Sequence, residues 1–340
     1  MARVFANNAF DQSDLDLSRL YYNSRDYGLF DNVRAQYNGV TYNDVYVVDW
    51  MVGGNYMASA FAGGYLSVDG RQQINGGTVN GYLELAWNGS SYTELYGIDG
   101  ISVSAVDLYN AATTRYTNDE LSIISTALAG SDLFDLSNYR DVAAGYDGND
   151  RMYGRGGNDA LFGGNGHDQL FGESGNDYLN GGSGNELLNG GSGHDRLDGG
   201  TGNDRLLGGT GNEVLKGGAG RDILQGGTGR DKLYAGNDVD TDTFVFAAVR
   251  DSRIGGNKRD KLYQFDSGED VIDLSRMDAN TRVGGNQEFD YSDYAAANSV
   301  WVVDIGRHLL VRGDVNGDGR ADFEIQVMST NSLTQDDFIL

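Results

Sequence analysis

From Gly145 to Tyr234 the chain repeats a nine-residue unit ten times without an insertion: GYDGNDRMY, GRGGNDALF, GGNGHDQLF, GESGNDYLN, GGSGNELLN, GGSGHDRLD, GGTGNDRLL, GGTGNEVLK, GGAGRDILQ and GGTGRDKLY. Positions 1 and 4 are always glycine; the fourth-position residues are Gly148, Gly157, Gly166, Gly175, Gly184, Gly193, Gly202, Gly211, Gly220 and Gly229. Position 6 is always acidic: Asp150, Asp159, Asp168, Asp177, Glu186, Asp195, Asp204, Glu213, Asp222 and Asp231. Position 8 is Met152 once and leucine in every other unit. A flexible glycine linker has no reason to place an aliphatic residue at every ninth position. Positions 6 and 8 are two residues apart, so both side chains lie on one face of a short strand. The glycine-rich half supplies turns with positive φ, where a Cβ would clash.

These units resemble the RTX family, the Gly-Gly-x-Gly-x-Asp-x-U-x calcium repeats of secreted bacterial proteins. The resemblance implies a right-handed parallel β-roll in which one nonad makes half a turn and eighteen residues close one. Alternate acids then form two columns, one from Asp150 through Asp168, Glu186 and Asp204 to Asp222, the other from Asp159 through Asp177, Asp195 and Glu213 to Asp231. Stacked strands lie roughly 4.8 Å apart. Two carboxylates at that distance repel by roughly 3 kcal/mol at an effective dielectric near 20. The calcium-free roll is therefore expected to be disordered. Calcium, with its large and tolerant oxygen shell, suits the columns better than octahedral magnesium. By the resemblance, each ion takes carbonyls and the acid of one turn plus those of the turn stacked on it, which implies about seven or eight ions.

Several departures carry their own expectations. Glu186 and Glu213 are one methylene too long, so their sites are expected to be distorted or weaker. Tyr146, Arg155 and Glu173 replace the second glycine, and a carbonyl ligand survives there if the backbone keeps its conformation. His167 and His194, at position 5, are expected to face solvent. Two degenerate units from Ala127 and Leu136 keep Asp132 and Asp141 at position 6. Downstream the register slips by two residues around Asp240 and Asp242, so Asp141, Asp240 and Asp242 join the candidate ligands.

Residues 244–340 resemble the flank that follows such repeats in serralysin-type proteases, which implies β-structure capping the open end of the roll. Asp314, Asn316, Asp318 and Asp322 hold positions 1, 3, 5 and 9 of an EF-like loop with Gly319 at the turn, although Ile325 replaces the bidentate glutamate. Asp266, Glu269, Asp270 and Asp273 form a second acidic cluster. Asp336-Asp337-Phe338-Ile339-Leu340 resembles a type I export signal, and residues 1–14 lack the basic-then-apolar layout of a secretory signal peptide. Together they point to a chain exported unfolded by a type I secretion apparatus and folded outside by calcium.

Residues 1–126 differ in kind, being rich in tyrosine, with Trp50 and Trp87. Segments 45–52 and 81–98 are expected as strands, the second with a turn at Asn88-Gly89. A short helix is expected from Asn118 to Gly130. The fold class is thus mostly β: an N-terminal β-rich (α+β) domain over 1–126, the calcium roll over 127–243 and a β cap over 244–340. The formal charge of −25 disfavours nucleic acid, no apolar run is long enough to span a bilayer, and zero cysteines exclude thiolate chemistry. The three histidines form no HExxH pair, and neither a G-x-S-x-G elbow nor a P-loop occurs. The chemistry points to a secreted, non-catalytic calcium protein whose N-terminal domain binds an extracellular polysaccharide, a cell surface or its own copies. Two alternatives stay open: a polysaccharide lyase, epimerase or glycosidase using acids such as Asp44, Asp49, Glu84 and Asp99, and a carrier of a small hydrophobic ligand.

Overall fold

The computed structural model describes residues 128–328 and 332–340 in full and, before them, the backbone of the strands Arg3–Ala6, Ser24–Phe30, Ala35–Tyr37, Val40–Tyr42, Asp44–Val52, Asn55–Val68, Ile74–Trp87 and Tyr92–Ser104. The chain forms two compact units, Met1–Arg155 and Gly156–Leu340. No helix among the described residues is long and apolar enough to cross a membrane.

In the first unit, Ser24–Phe30, Asp44–Val52, Asn55–Val68, Ile74–Trp87 and Tyr92–Ser104 follow one another as an antiparallel sheet. The strands flanking the expected turn pair at Trp87 and Tyr92, while Asn88-Gly89 itself lies outside the described residues. Arg3–Ala6 completes the sheet with a different role on each side: it runs antiparallel to Tyr92–Ser104 and parallel to Leu133–Asp135. Leu133–Asp135 in turn pairs in parallel with Arg151–Tyr153. The first few residues thus splice an antiparallel sheet onto the first parallel rungs, a long-range pairing that local pattern does not reveal. The helix expected over Asn118–Gly130 lies, but for its last three residues, outside the described residues, and Ala129 makes a parallel bridge to Asp147. The N-terminal acidic and aromatic side chains also lie outside them.

The second unit is a parallel β-solenoid. Its strands alternate between two sheets, and each strand pairs with the one two nonads away. One sheet aligns Leu170, Leu188, Leu206 and Leu224 and continues through Phe244 and Ile272 to Phe338. The other aligns Leu161, Leu179, Leu197, Leu215 and Leu233 and continues through Leu262 to Val327. Every position-8 side chain from Met152 to Leu233 is fully buried. Each such side chain contributes about 1.5–3 kcal/mol of burial. The fourth-position glycines hold φ between 114° and 156°, where a side chain is strained. At position 2, Tyr146, Arg155 and Glu173 keep positive φ of 71°, 71° and 68°, so the backbone survives loss of the glycine.

The segment after the repeats continues both sheets. Phe323–Met328 pairs in parallel with Asp260–Tyr263 and antiparallel with His308–Gly313, which pairs antiparallel with Ser299–Asp304. Glu324, buried, anchors this switch: Arg312 donates to it at 2.6 and 2.8 Å, and Arg259 lies 3.3 Å away. Phe338–Ile339 adds a short parallel strand beside Val271–Asp273.

Candidate metal centre

The position-6 acids stand inside the roll beside the leucines, each 3% exposed or less. Each column is bonded in one direction: the acid of a later turn accepts the position-6 amide of an earlier one. Asp177 takes the Asp159 amide at 2.9 Å and Asp195 that of Asp177 at 2.9 Å; Asp204 takes that of Glu186 and Asp222 that of Asp204, both at 2.8 Å. In the first unit Asp150 likewise takes the Asp132 amide at 2.7 Å. The second carboxylate oxygen of Asp177, Asp195, Asp204, Asp222 and Asp231 is buried and has no hydrogen-bond partner. A buried carboxylate oxygen without a donor is costly unless a cation faces it.

The backbone supplies the other half of each site. A Cβ placed on Gly172 would strike the Asp177 Oδ2 and the Gly190 carbonyl oxygen. The same cradle recurs at Gly190 with Asp195 and the Gly208 carbonyl, and at Gly199 with Asp204 and the Gly217 carbonyl. First-position glycine thus leaves open a pocket bounded by one carboxylate oxygen and a carbonyl from the next turn. Among the described residues no three acidic or histidine side chains form a metal cluster. Single carboxylates alternating with carbonyls are instead a hard, all-oxygen donor set of the kind calcium takes.

Electrostatics agree with that geometry. Burial first, then neighbouring column acids, pushes Asp222 from 3.8 to about 8. Burial and the Asp195 charge likewise outweigh the hydrogen bond to the Asp159 amide and bring Asp177 to about 6. Glu186 and Glu213 are raised too, by burial and then by the neighbouring Asp204 and Asp231. Their extra methylene has a visible effect. Near Gly181 and Gly208 the cradle meets glutamate Cβ and Cγ where an aspartate would present oxygen, and Oε1 turns toward the fourth-position Gly184 and Gly211.

The columns run past the repeats. Asp242 takes the Asp222 amide at 2.8 Å across a separation of 20 residues, which is the two-residue slip. Asp240 stays off the column, on the surface 3.9 Å from Arg221. Asp270 then takes the Asp242 amide at 2.9 Å, and Asp260 the Asp231 amide at 2.6 Å. Asp260 is fully buried with an unpartnered Oδ2. Its assignment had a signal in the sequence: Gly255-Gly256-Asn257-Lys258-Arg259-Asp260-Lys261-Leu262-Tyr263 is a further nonad with glycine at positions 1 and 2 and Lys258 in place of the fourth-position glycine, and its second half duplicates Arg230-Asp231-Lys232-Leu233-Tyr234. Asp141 is buried, and its Oδ2 accepts both the amide and the hydroxyl of Ser137 at 2.8 Å.

Position 5 forms a second ladder on the outside, bonded in the opposite direction. The amides of Asn185 and Asn212 donate to Nδ1 of His167 and His194 at 2.7 and 2.9 Å, and the Arg221 amide donates to Oδ1 of Asn203 at 2.9 Å. The two histidines are exposed, as expected, and also serve as acceptors. Arginine cannot accept, so Arg221 and Arg230 end this ladder where the repeats end. The Asp314–Asp322 loop is a different kind of acidic cluster. Asp314 accepts the amides of Asn316, Gly317 and Gly319, and Asp322 accepts the Val315 amide and the Asn316 side chain. Asp318 is exposed and accepts the Arg320 amide at 2.9 Å. These bonds shape the turn around Asp314 and Asp322.

Six overlapping segments, 127–161, 135–170, 153–185, 171–206, 180–215 and 207–242, match the family described as RTX calcium-binding nonapeptide repeat. Residues 127–242 are RTX repeats. The roll is therefore a calcium-binding structure, and its several repeats bind several ions. No curated protein matches the chain. Among solved structures, the AlgE6R3 subunit from the Azotobacter vinelandii mannuronan C5-epimerase, determined in solution, is 21% identical over 62% of this chain and 78% of its own, with a TM-score of 0.25.

Proposed function

We propose that the protein works outside the cell and that calcium folds its RTX roll there. The ligands in this reading are the position-6 acids from Asp150 to Asp231, joined by Asp242, Asp260 and the carbonyls of the stacked glycine turns. The observation that carries it is the repeated buried carboxylate with one oxygen on an amide and the other on none. At low calcium the stacked charges oppose folding by roughly 3 kcal/mol per neighbouring pair. A chain held open in that way is suited to export before folding, and ion binding then supplies folding free energy. Extracellular location is the usual setting of proteins with these repeats. The N-terminal sheet, whose strands are rich in tyrosine, is the part we assign to an extracellular partner: a polysaccharide, a cell surface or a second copy.

Circular dichroism tests the folding claim. Purified chain in EDTA should lack the β signal of the roll, and calcium should restore it where magnesium does not. A roll that keeps its native spectrum after exhaustive chelation would overturn the reading.

A further inference from the structure

The two outer faces of the roll are built from the same repeat and carry different chemistry. Positions 7 and 9 of each unit point away from the leucine row, and neither the glycine turn nor the acid column specifies them. One face is made by Gln169–Ser174, Leu187–Gly193, Arg205–Gly211, Ile223–Gly229, Thr243–Val245 and Val271–Asp273, and its outward charges are Arg205, Glu173 and Asp273. The other runs from Ala160–Asn165 through Tyr178–Ser183, Arg196–Thr201, Val214–Ala219 and Lys232–Gly236 to Asp260–Tyr263. It carries Arg196, Lys216, Lys232 and Lys261 against Asp198 alone. In a chain with a formal charge of −25, this face is a cationic strip. Its six strands are consecutive in the sheet, and at roughly 4.8 Å per step they span roughly 24 Å.

The register sets what lies beside what. Lys216 stands 3.5 Å from Asp198, which occupies the one acid. Lys232 and Lys261 are direct neighbours across the ladder, and neither forms an ion pair among the described residues. Like charges opposite each other on neighbouring strands are destabilising. An anion laid across the two lysines relieves a repulsion that the fold leaves in place. Aromatic pairs flank the cations. Next to the lysines, Tyr234 and Tyr263 stack with ring centroids 4.5 Å apart and planes 10° from parallel. Burial and then the neighbouring Tyr234 raise the Tyr263 phenol, so it keeps its proton at neutral pH and serves as a donor. At the far end Phe162, 36% exposed, meets Tyr178 edge to face at 5.7 Å, and the Arg196 guanidinium lies 5.8 Å from the centre of the Tyr178 ring.

We propose that this face binds an acidic polysaccharide, a linear chain of sugars bearing carboxylates, laid along the axis of the roll. Charge complementarity selects an anion, the succession of cations from strand to strand selects an extended polymer, and the flanking aromatic side chains suit sugar rings. The proposal rests on the reading above for the extracellular setting and for folding by calcium, and it places a polysaccharide contact on the roll itself. The strip exists only in the folded roll. Folding turns the column acids inward, to 3% exposure or less, and leaves the cations outside. In the unfolded chain the same lysines are scattered among exposed acids. Binding is therefore coupled to calcium although no ion needs to touch the polymer.

Isothermal titration of the full chain with a galacturonate oligosaccharide, too short to gel with calcium, tests this. A neutral glucose oligosaccharide of equal length is the control. We expect binding of the acidic chain alone, in calcium and not in EDTA, and its loss at about 1 M salt, where screening acts within about 3 Å. Lys232→Gln combined with Lys261→Gln should weaken binding about tenfold or more, with an unchanged circular dichroism spectrum in calcium. Arg205→Gln combined with Arg221→Gln removes the same charge from the opposite strands and the turn before them, and should leave binding unchanged. Equal losses in the two double variants, or equal binding of the neutral oligosaccharide, would overturn the strip. So would an absence of binding by a chain that has folded in calcium, with the calcium reading intact. A chain that gains no β signal in calcium overturns both. Tighter binding of single-stranded DNA or of anionic vesicles than of galacturonate, abolished by the lysine substitutions, would overturn the choice of polysaccharide.

Discussion

Asp204, in a column of the roll, and Asp314, in the turn between His308–Gly313 and Phe323–Met328, are both buried, at 2% and 0% exposure. Asp204 has one oxygen on the Glu186 amide and the other on nothing, and burial raises its pKa. Asp314 has both oxygens on amides; burial pushes its pKa up, but the amides of Gly319, Asn316, Gly317 and Asn298 outweigh it and hold the carboxyl below 3.8. The same residue type is thus unsatisfied in one place and fully satisfied in the other. What separates the two acids is the number of donors the backbone supplies to each. In the roll the parallel ladder uses the amides for strand pairing and leaves each acid with one. In the turn, three consecutive-loop amides converge on a single carboxylate.

The widest separation should appear with pH. Asp177 and Asp222 sit at about 6 and about 8 in the fold, against 3.8 ordinarily. Their folded values are raised, so in EDTA their contribution to stability is full below about pH 4 and is lost as the pH climbs through 6 to 8. Acid should therefore partly substitute for calcium, restoring β signal to the chelated chain near pH 4. Asp314 has the opposite sign: its contribution is present above its ordinary value and is lost as the pH falls below it. A chelated roll that loses β signal on acidification from pH 8 to pH 4 would contradict the raised column values.

Single neutralisations sharpen the contrast. Asp314→Asn should cost about 2–3 kcal/mol in calcium and in EDTA alike, since it weakens charge-assisted hydrogen bonds. Asp204→Asn should lower calcium affinity about tenfold or more, about 1.4 kcal/mol. In EDTA it should be neutral or stabilising, because it relieves repulsion within the column. Calcium titrations and urea melts of both variants read this out; matching behaviour in EDTA would remove the distinction between the two regions.

A smaller effect isolates the backbone half of the site. Gly199→Ala puts a methyl where the Asp204 Oδ2 and the Gly217 carbonyl converge, and should cost about 1–3 kcal/mol of calcium-bound stability. Gly130→Ala, whose added carbon meets nothing within 4 Å, should stay within about 0.5 kcal/mol. Equal melting shifts for the two would mean that the cradle does not hold an ion.

Most of the roll was legible because its signals are periodic. A glycine that must adopt positive φ, an acid and a leucine two residues apart fix the turn, the inward face and the register together. The columns from Asp159 to Asp231 follow from that period, and so does the fate of position 2, where Glu173 keeps the turn without glycine. The outer ladder was less legible. Position 5 holds only asparagine, histidine and arginine, a restriction with a bonding reason that becomes visible once turns are stacked. Asp260, in a nonad that has lost its fourth glycine, and Asp270, in an acidic cluster, were visible as residues but not as column members, because their partners lie 29 and 28 residues back, across loops of irregular length.

By itself, then, the sequence determined the repeating unit, its buried leucine row and its rows of acid, since each depends only on spacing along one strand and turn. Tertiary structure decided where the rows stop, that Asp242 and not Asp240 carries the column onward, how the longer glutamates turn, and which acids satisfy themselves. Those outcomes depend on which amides and carbonyls a folded chain brings within hydrogen-bond reach of an oxygen, and residues tens of positions apart meet there for reasons no local pattern records.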